Sequence, residues 1–238
     1  MNIVITGASR GIGKAVAEKF AAQGHNLLLC AQNAVALYKT LEELQLKFPS
    51  QIIKARPADL SDKYEVSEIA VWVQQEAVKM PGGTVDVLVN NAGKYTPGQV
   101  HNEEDGMLED MINLNLYAAY HLTRALIPRM IERRAGHIFN ICSIASIQAY
   151  ANGGSYSISK FALLGFTKNL REEMKPHGVK VTGILPGAVY TDSWHGSGLP
   201  PERFIRAEDI AETIYSCSQL SASATIEDIV IRPQEGDI

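Results

Sequence analysis

Tyr156 and Lys160 stand four positions apart near the start of residues 155–174, whose apolar spacing predicts a helix. That separation puts both side chains on one helix face. A phenol with an ordinary pKa near 10 transfers protons poorly at neutrality, and making it effective takes a shift of about three units, or roughly 4 kcal/mol. A neighbouring ammonium contributes to such a shift by favouring the phenolate. The pair therefore has the makings of a proton-transfer site. The same spacing also arises where one packed ring and one solvated amine share a helix surface, so other residues must give it meaning.

A second cluster lies near the start of the chain, where the apolar run 3–6 passes into Thr6-Gly7-Ala8-Ser9-Arg10-Gly11-Ile12-Gly13 and then the helical stretch 14–22. Glycines let the backbone turn tightly and approach a pyrophosphate, and the N-terminus of the helix presents free N–H groups with partial positive charge. Three glycines at a turn also serve close helix-to-strand packing. Placement between a strand and a helix favours the phosphate reading.

The elements that must carry these clusters follow from the hydrophobic pattern. Apolar runs at 3–6, 27–30, 52–55, 85–89, 137–142, 179–185 and 226–231 alternate with helix-sized stretches. Strand, helix, strand order repeated through right-handed crossovers predicts an α/β fold: a doubly wound parallel sheet with helices on both faces. With 238 residues, 46% of them hydrophobic, and no low-complexity linker or internal repeat, residues 1–238 are expected to form one domain. The segment 186–206, punctuated by Pro186, Gly187, Gly196, Gly198, Pro200 and Pro201, reads as a substrate-covering loop at a strand's carboxyl end, or as a plain surface connection.

Composition excludes several partners. A net charge of −4, with acids and bases interspersed, offers no basic stripe for nucleic acid. No apolar run approaches the roughly 20 residues of a membrane-spanning helix. Met1 leads straight into a strand-like run with no charged, apolar leader, so a soluble cytoplasmic protein is expected. Cys30, Cys142 and Cys217 are widely separated and read as reduced thiols, Cys142 as a core thiol with no cation predictable beside it. His101, His121, His137, His177 and His195 show no ligand spacing, so no metal is assigned.

The glycine spacing is GxxxGxG, and TGxxxGIG at 6–13 resembles the short-chain dehydrogenase/reductase family. The resemblance covers nearly the whole chain. Asp59-Leu60 is similar to the family pair that contacts adenine, Asn90-Asn91-Ala92-Gly93 to its NNAG segment, and Pro186-Gly187 with Thr191 to its PGxxxT segment. By that resemblance the cofactor is a nicotinamide dinucleotide held by Gly7, Ser9, Arg10, Gly11, Ile12 and Gly13 at the phosphates. Gln32, Asp59 and Leu60 would lie at the adenosine, and Asn91, Ala92, Gly93, Pro186, Gly187, Val189 and Thr191, with Tyr156 and Lys160, around the remainder.

By the family register, the positions facing the adenosine ribose are Ala31 and Gln32. No Asp or Glu occurs from Leu27 to Thr40, whereas NAD(H)-binding sites place an acid there to bond the 2′-hydroxyl. A 2′-phosphate would then meet Arg10 and no acid, so NADP(H) is favoured over NAD(H).

The resemblance also completes the catalytic group. Ser143 precedes Tyr156 as in the family and is expected to donate to the substrate oxygen, while Asn115 matches the asparagine that supports a proton relay behind Lys160. The implied activity is hydride transfer from NADPH to a carbonyl, or the reverse on an alcohol, with Tyr156 as proton donor or acceptor. An NAD-dependent alcohol dehydrogenase and a non-catalytic dinucleotide sensor are the rival readings. Residues 186–191 with Trp194, and residues 231–238, resemble bacterial sepiapterin-reductase-like members, although 3-oxoacyl reductases share most other motifs. The stretches 108–130 and 161–170 are rich in apolar residues, and family members commonly pair such helices, so a homodimer or homotetramer is expected.

Overall fold

Side chains on a strand alternate between the two faces of its sheet, and a parallel sheet covered by helices is apolar on both. In β1 (Asn2–Thr6), Ile3 and Ile5 enter one core and Val4 the other; in β2 (Asn26–Ala31), Leu27 and Leu29 enter the first and Leu28 the second. β3 (Ile53–Pro57), β4 (Val87–Asn90), β5 (Gly136–Ile141), β6 (Val179–Pro186) and β7 (Asp228–Ile231) extend the same sheet. The computed structural model describes residues 1–191 and 198–237. Among them the strands form one seven-stranded sheet in the order β3-β2-β1-β4-β5-β6-β7, with every pairing parallel. This is the doubly wound architecture that the hydrophobic pattern predicts. All seven expected strands form, with ends displaced by no more than two residues.

The first core is covered by α1 (Gly11–Ala22), α2 (Ala34–Lys47) and α7 (Ala207–Ser218). The second is covered by α3 (Lys63–Val78), α5 (Ala118–Arg133) and the end of α6 (Gly154–Met174). Local chemistry starts two of these helices in ordinary fashion: Asn33 caps α2 by accepting from Ala36 N at 2.9 Å, and Asp62 caps α3 by accepting from Tyr64 N at 2.7 Å.

Strand order reverses between β1 and β4, which opens a crevice beyond their carboxyl ends where ligands of such sheets bind. The helix expected over 108–130 forms and runs without a break through α4 (Met107–Ile112), a π-helical turn (Asn113–Tyr117) and α5. Residues 192–197 of the expected substrate-covering loop, Trp194, His195 and Gly196 among them, lie outside the described residues.

Candidate active site

After β1 the chain turns through Gly7 (φ +65°) and Gly11 (φ +54°) into α1, a conformation that favours glycine at both positions. A Cβ on Gly7 would lie 2.8 Å from Asn91 Nδ2, and one on Gly13 only 2.3 Å from the Gly7 carbonyl oxygen. α1 has no side-chain cap and no acid in its first turn. Its orphan N–H groups and positive dipole end are thus left for an anion. Ser9, Arg10, Gly11 and Ile12 line a cavity of about 870 Å³. A pyrophosphate suits this cradle, whose shape side chains at Gly7 or Gly13 would disturb by colliding with Asn91 and the loop's own backbone.

Asn91 locks the loop to the end of β4. Its Nδ2 donates to the carbonyls of Thr6 (2.9 Å) and Gly7 (3.1 Å), while Thr6 Oγ1 accepts from the N–H groups of Asn91 and Ala92, both at 2.9 Å. Behind it, buried Asn90 donates to Thr123 Oγ1 (3.0 Å) and Asn140 Oδ1 (2.8 Å), and Asn140 Nδ2 donates to Thr167 Oγ1 at 2.8 Å. This buried polar chain ties β4, β5, α5 and α6 into one rigid floor.

Tyr156 is the third residue of α6, and Lys160 follows one turn later. Ser143, just after β5, opens a single 3₁₀ turn: its Oγ accepts from Ala145 N and its N–H donates to Ser146 Oγ, each at 3.1 Å. That hydroxyl shares the cavity with Tyr156 and favours its ionised form. Lys160 is buried, with Nζ donating to Ile141 O at 2.8 Å and standing 5.9 Å from the Tyr156 ring centroid. Asn115 lies in the π-helical turn, a distortion frequent at functional sites. Its Oδ1 accepts from Lys94 N (2.9 Å), and its Nδ2 donates to Lys94 O (3.1 Å) and to Ser159 Oγ (2.9 Å). Ser159 Oγ in turn donates to Tyr156 O at 2.7 Å.

Burial holds the Tyr156 phenol above its ordinary value, with Ser143 opposing and Tyr95 adding to the shift. The sequence suggests the opposite direction. The difference arises because the Lys160 ammonium is turned to the Ile141 carbonyl, while the Tyr95 ring packs edge-on against Tyr156 with centroids 4.9 Å apart. Burial also lowers Lys160 to about 8. Cys142, expected to have no cation beside it, is within the electrostatic reach of Lys160, yet burial dominates and pushes its thiol up to about 11. Such a thiol is neutral and a poor nucleophile.

At the ribose position the sequence reading also needs amendment. β2 carries no acid, but β3 pairs with it so that Ala31 faces Pro57, and the residues beyond converge: Gln32 Nε2 donates to Asp59 Oδ2 at 2.8 Å. Asp59 also accepts from Ser61 N (2.9 Å) and Ser61 Oγ (2.7 Å), and Ser61 does most to hold its carboxyl below the usual range. An acid thus lies one contact from Gln32.

The same cavity brings together the glycine loop, Gln32, Asp59, Leu60, residues 91–93, Ser143, Tyr156, Lys160, Pro186, Gly187, Val189 and Thr191. Gly13 and Asn115 alone among the expected site residues do not line it; Gly13 sits under the loop and Asn115 acts from behind.

The sequence model of the short chain dehydrogenase family matches residues 1–199. This chain belongs to the short-chain dehydrogenase family. A sepiapterin reductase from Chlorobaculum tepidum is 31% identical over 99% of this chain and 97% of the relative. Among solved structures, a metagenomic short-chain oxidoreductase in complex with NADP is 30% identical, with a TM-score of 0.83 over 98% of this chain and 97% of that one. L-sorbose reductase from Gluconobacter frateurii, complexed with NADPH and L-sorbose, is 27% identical, with a TM-score of 0.85 over 98% and 95% of the two chains.

Within this short-chain dehydrogenase, several residues at the site escape a motif reading. Asn140, Thr167 and Ser159 build the floor, and Tyr95, Gln148 and Tyr150 line the cavity beside Tyr156. Their signal in the sequence is weak: polar residues inside otherwise apolar stretches, as in Phe139-Asn140-Ile141. Among the described residues no cluster of three or more His, Cys, Asp or Glu could hold a metal, and no helix is long and apolar enough to cross a membrane.

Proposed function

We propose that this short-chain dehydrogenase reduces a carbonyl substrate with NADPH, with Tyr156 as the proton donor. The observation that carries the reading is the convergence of Ser143, Tyr156 and buried Lys160 in one cavity with an uncapped glycine-loop helix. Bound NADPH would supply the hydride. Ser143 and Tyr156 together define where a carbonyl oxygen sits: Ser143 donates to it, and Tyr156 donates and then transfers its proton. A phenol held above its ordinary pKa is fully protonated at neutral pH, which suits reduction. Lys160 would hold the nicotinamide ribose, its ammonium already aimed along the end of β5 by Ile141 O. Asn115 supports the arrangement by fixing the Lys94 backbone and Ser159, which braces the first turn of α6.

Arg10 and the acid-free β2 favour a 2′-phosphate, as do the NADP and NADPH complexes of the similar structures. Asp59 beside Gln32 is the observation on the side of NAD(H), but that carboxylate already accepts from three donors. The reading extends to a cytoplasmic homodimer or homotetramer joined through exposed apolar residues such as Tyr117, Ile158 and Phe161, tested by mass in solution across a wide concentration range. Titrating the protein with NADPH and NADH by nicotinamide fluorescence, then following NADPH oxidation with diketones, pterins and oxoacyl thioesters, tests the whole. Tighter NADPH binding with turnover of at least one carbonyl is expected; binding without any turnover would mark a dinucleotide sensor, and tighter NADH binding an NAD-dependent dehydrogenase.

A further inference from the structure

α6 carries Tyr156 and Lys160, yet its own sequence supplies nothing to hold its first turn. Its N-cap is Gly153, without a side-chain cap, and no acid occurs in the first turn. Tyr156, only three residues in, therefore stands on the part of a helix most prone to fray.

The missing group comes from elsewhere in the chain. Glu103, on the 91–106 segment between β4 and α4, accepts from Ser155 N at 2.9 Å through Oε1 and at 3.3 Å through Oε2, and Ser155 Oγ donates to Oε2. Two glycines make room for this carboxylate. A Cβ on Gly154 (φ +35°) would lie 1.9 Å from Glu103 Oε1, and one on Gly98 would lie 2.4 Å from it. The segment is docked beside the helix by further bonds: Gly98 N donates to Asn152 O at 3.1 Å, and Gln99 Nε2 to Asn152 Oδ1 at 3.1 Å. The same segment bears Tyr95, whose ring meets Tyr156 edge-on.

We propose that Glu103 is a positioning residue for the proton-transfer site, capping α6 from a separate segment and so fixing where Tyr156 stands relative to Ser143. A carboxylate at a helix N-terminus stabilises it both through the N–H bond and through the dipole. Here that stabilisation falls on the single turn whose geometry the chemistry needs. The proposal rests on the reductase reading for its kinetic consequence but not for the cap itself.

The test compares wild type, Glu103→Ala, Glu103→Gln and Asp86→Ala. Asp86 is a control just before β4, at the amino-terminal ends of the strands and so away from the cavity, where its carboxylate accepts from Asn2 N and Arg133. Each protein is measured for kcat and KM with one carbonyl, NADPH Kd, thermal midpoint, and deuterium uptake over residues 152–158. A small displacement of a reacting group costs up to about 100-fold in rate, so Glu103→Ala should lower kcat about 10- to 100-fold with KM and NADPH Kd within about threefold. Glu103→Gln, whose amide oxygen still accepts from Ser155 N, should recover much of that loss. Glu103→Ala should also speed uptake over 152–158, and Asp86→Ala should not. Glu103→Ala with wild-type kcat per folded molecule would overturn the proposal, as would unchanged uptake at 152–158. If wild type itself reduced no carbonyl, the reductase reading would fail, and deuterium uptake would still decide whether Glu103 caps the helix.

Discussion

Lys160 donates its ammonium to the carbonyl oxygen of Ile141 at 2.8 Å, so the cation is anchored to the end of β5 and not to the Tyr156 hydroxyl. The sheet thereby aims the lysine along the cavity floor. Burial brings its pKa down to about 8, so it loses its proton before Tyr156, whose phenol is shifted upward.

This ordering predicts the pH profile of kcat/KM for reduction, which reports groups of the free enzyme. The charged lysine and the protonated tyrosine are both present below pH 8. Activity should be level between pH 6 and 7.5 and fall as pH rises through about 8, the value for Lys160. Initial rates at low substrate across that range check it. A profile level to pH 9.5 would mean that the Lys160 charge is not needed.

Cofactor selectivity turns on two side chains of opposite sign. Arg10→Ala should weaken NADPH selectively by about 1–3 kcal/mol, the worth of a charge-assisted phosphate contact. Asp59→Asn removes the negative charge next to Gln32 and should tighten NADPH relative to NADH. Fluorescence titrations give both ratios. Equal losses of NADPH and NADH in Arg10→Ala would place that guanidinium away from the 2′-phosphate.

Much of this site is legible in local sequence because its parts are local. The glycine loop joins a strand to the helix that follows it, and Tyr156 and Lys160 share one helix turn. The seven strands are legible for the same reason, as continuous apolar runs between helix-sized stretches. Contacts made by topology are not legible. Gln32 meets Asp59 only because β2 and β3 pair with Ala31 opposite Pro57, and neither segment encodes that register alone. Asn115 is visible as a residue, but not the π-helical turn that carries it, since that turn has no side-chain signature; its partners Lys94 and Ser159 come from two other elements. Glu103 lies in an irregular segment whose local marks, among them Pro97-Gly98 and Asp105-Gly106, indicate turns and nothing of its contact with α6.

His137 predicts acid sensitivity of the fold. It is buried in β5, stacked on Phe139 at 3.9 Å, with Nε2 2.8 Å from Thr182 Oγ1. The Thr182 hydroxyl donates its hydrogen to Ile226 O at 2.6 Å, so Nε2 must carry the proton, and Nδ1 has no partner among the described residues. Burial lowers the imidazole from 6.5 to about 3. Its folded pKa lies below its unfolded one, so stability present above pH 6.5 is lost as pH falls toward 3. Between pH 7 and 5 this one group should remove about 2 kcal/mol. Urea unfolding of wild type and His137→Leu at both pH values measures it: the variant should lose less stability on acidification, and equal losses would contradict the assignment.

Tyr156→Phe isolates the proton donor, because it removes one hydroxyl while leaving the ring against Tyr95 and Lys160 bound to Ile141 O. Single-turnover NADPH oxidation should be measured with a carbonyl that wild type reduces, alongside NADPH Kd. The rate should fall at least about 100-fold, the usual worth of general acid catalysis, with Kd within a few-fold of wild type. A variant that reduces that carbonyl at near wild-type rate would show that Tyr156 is not the acid.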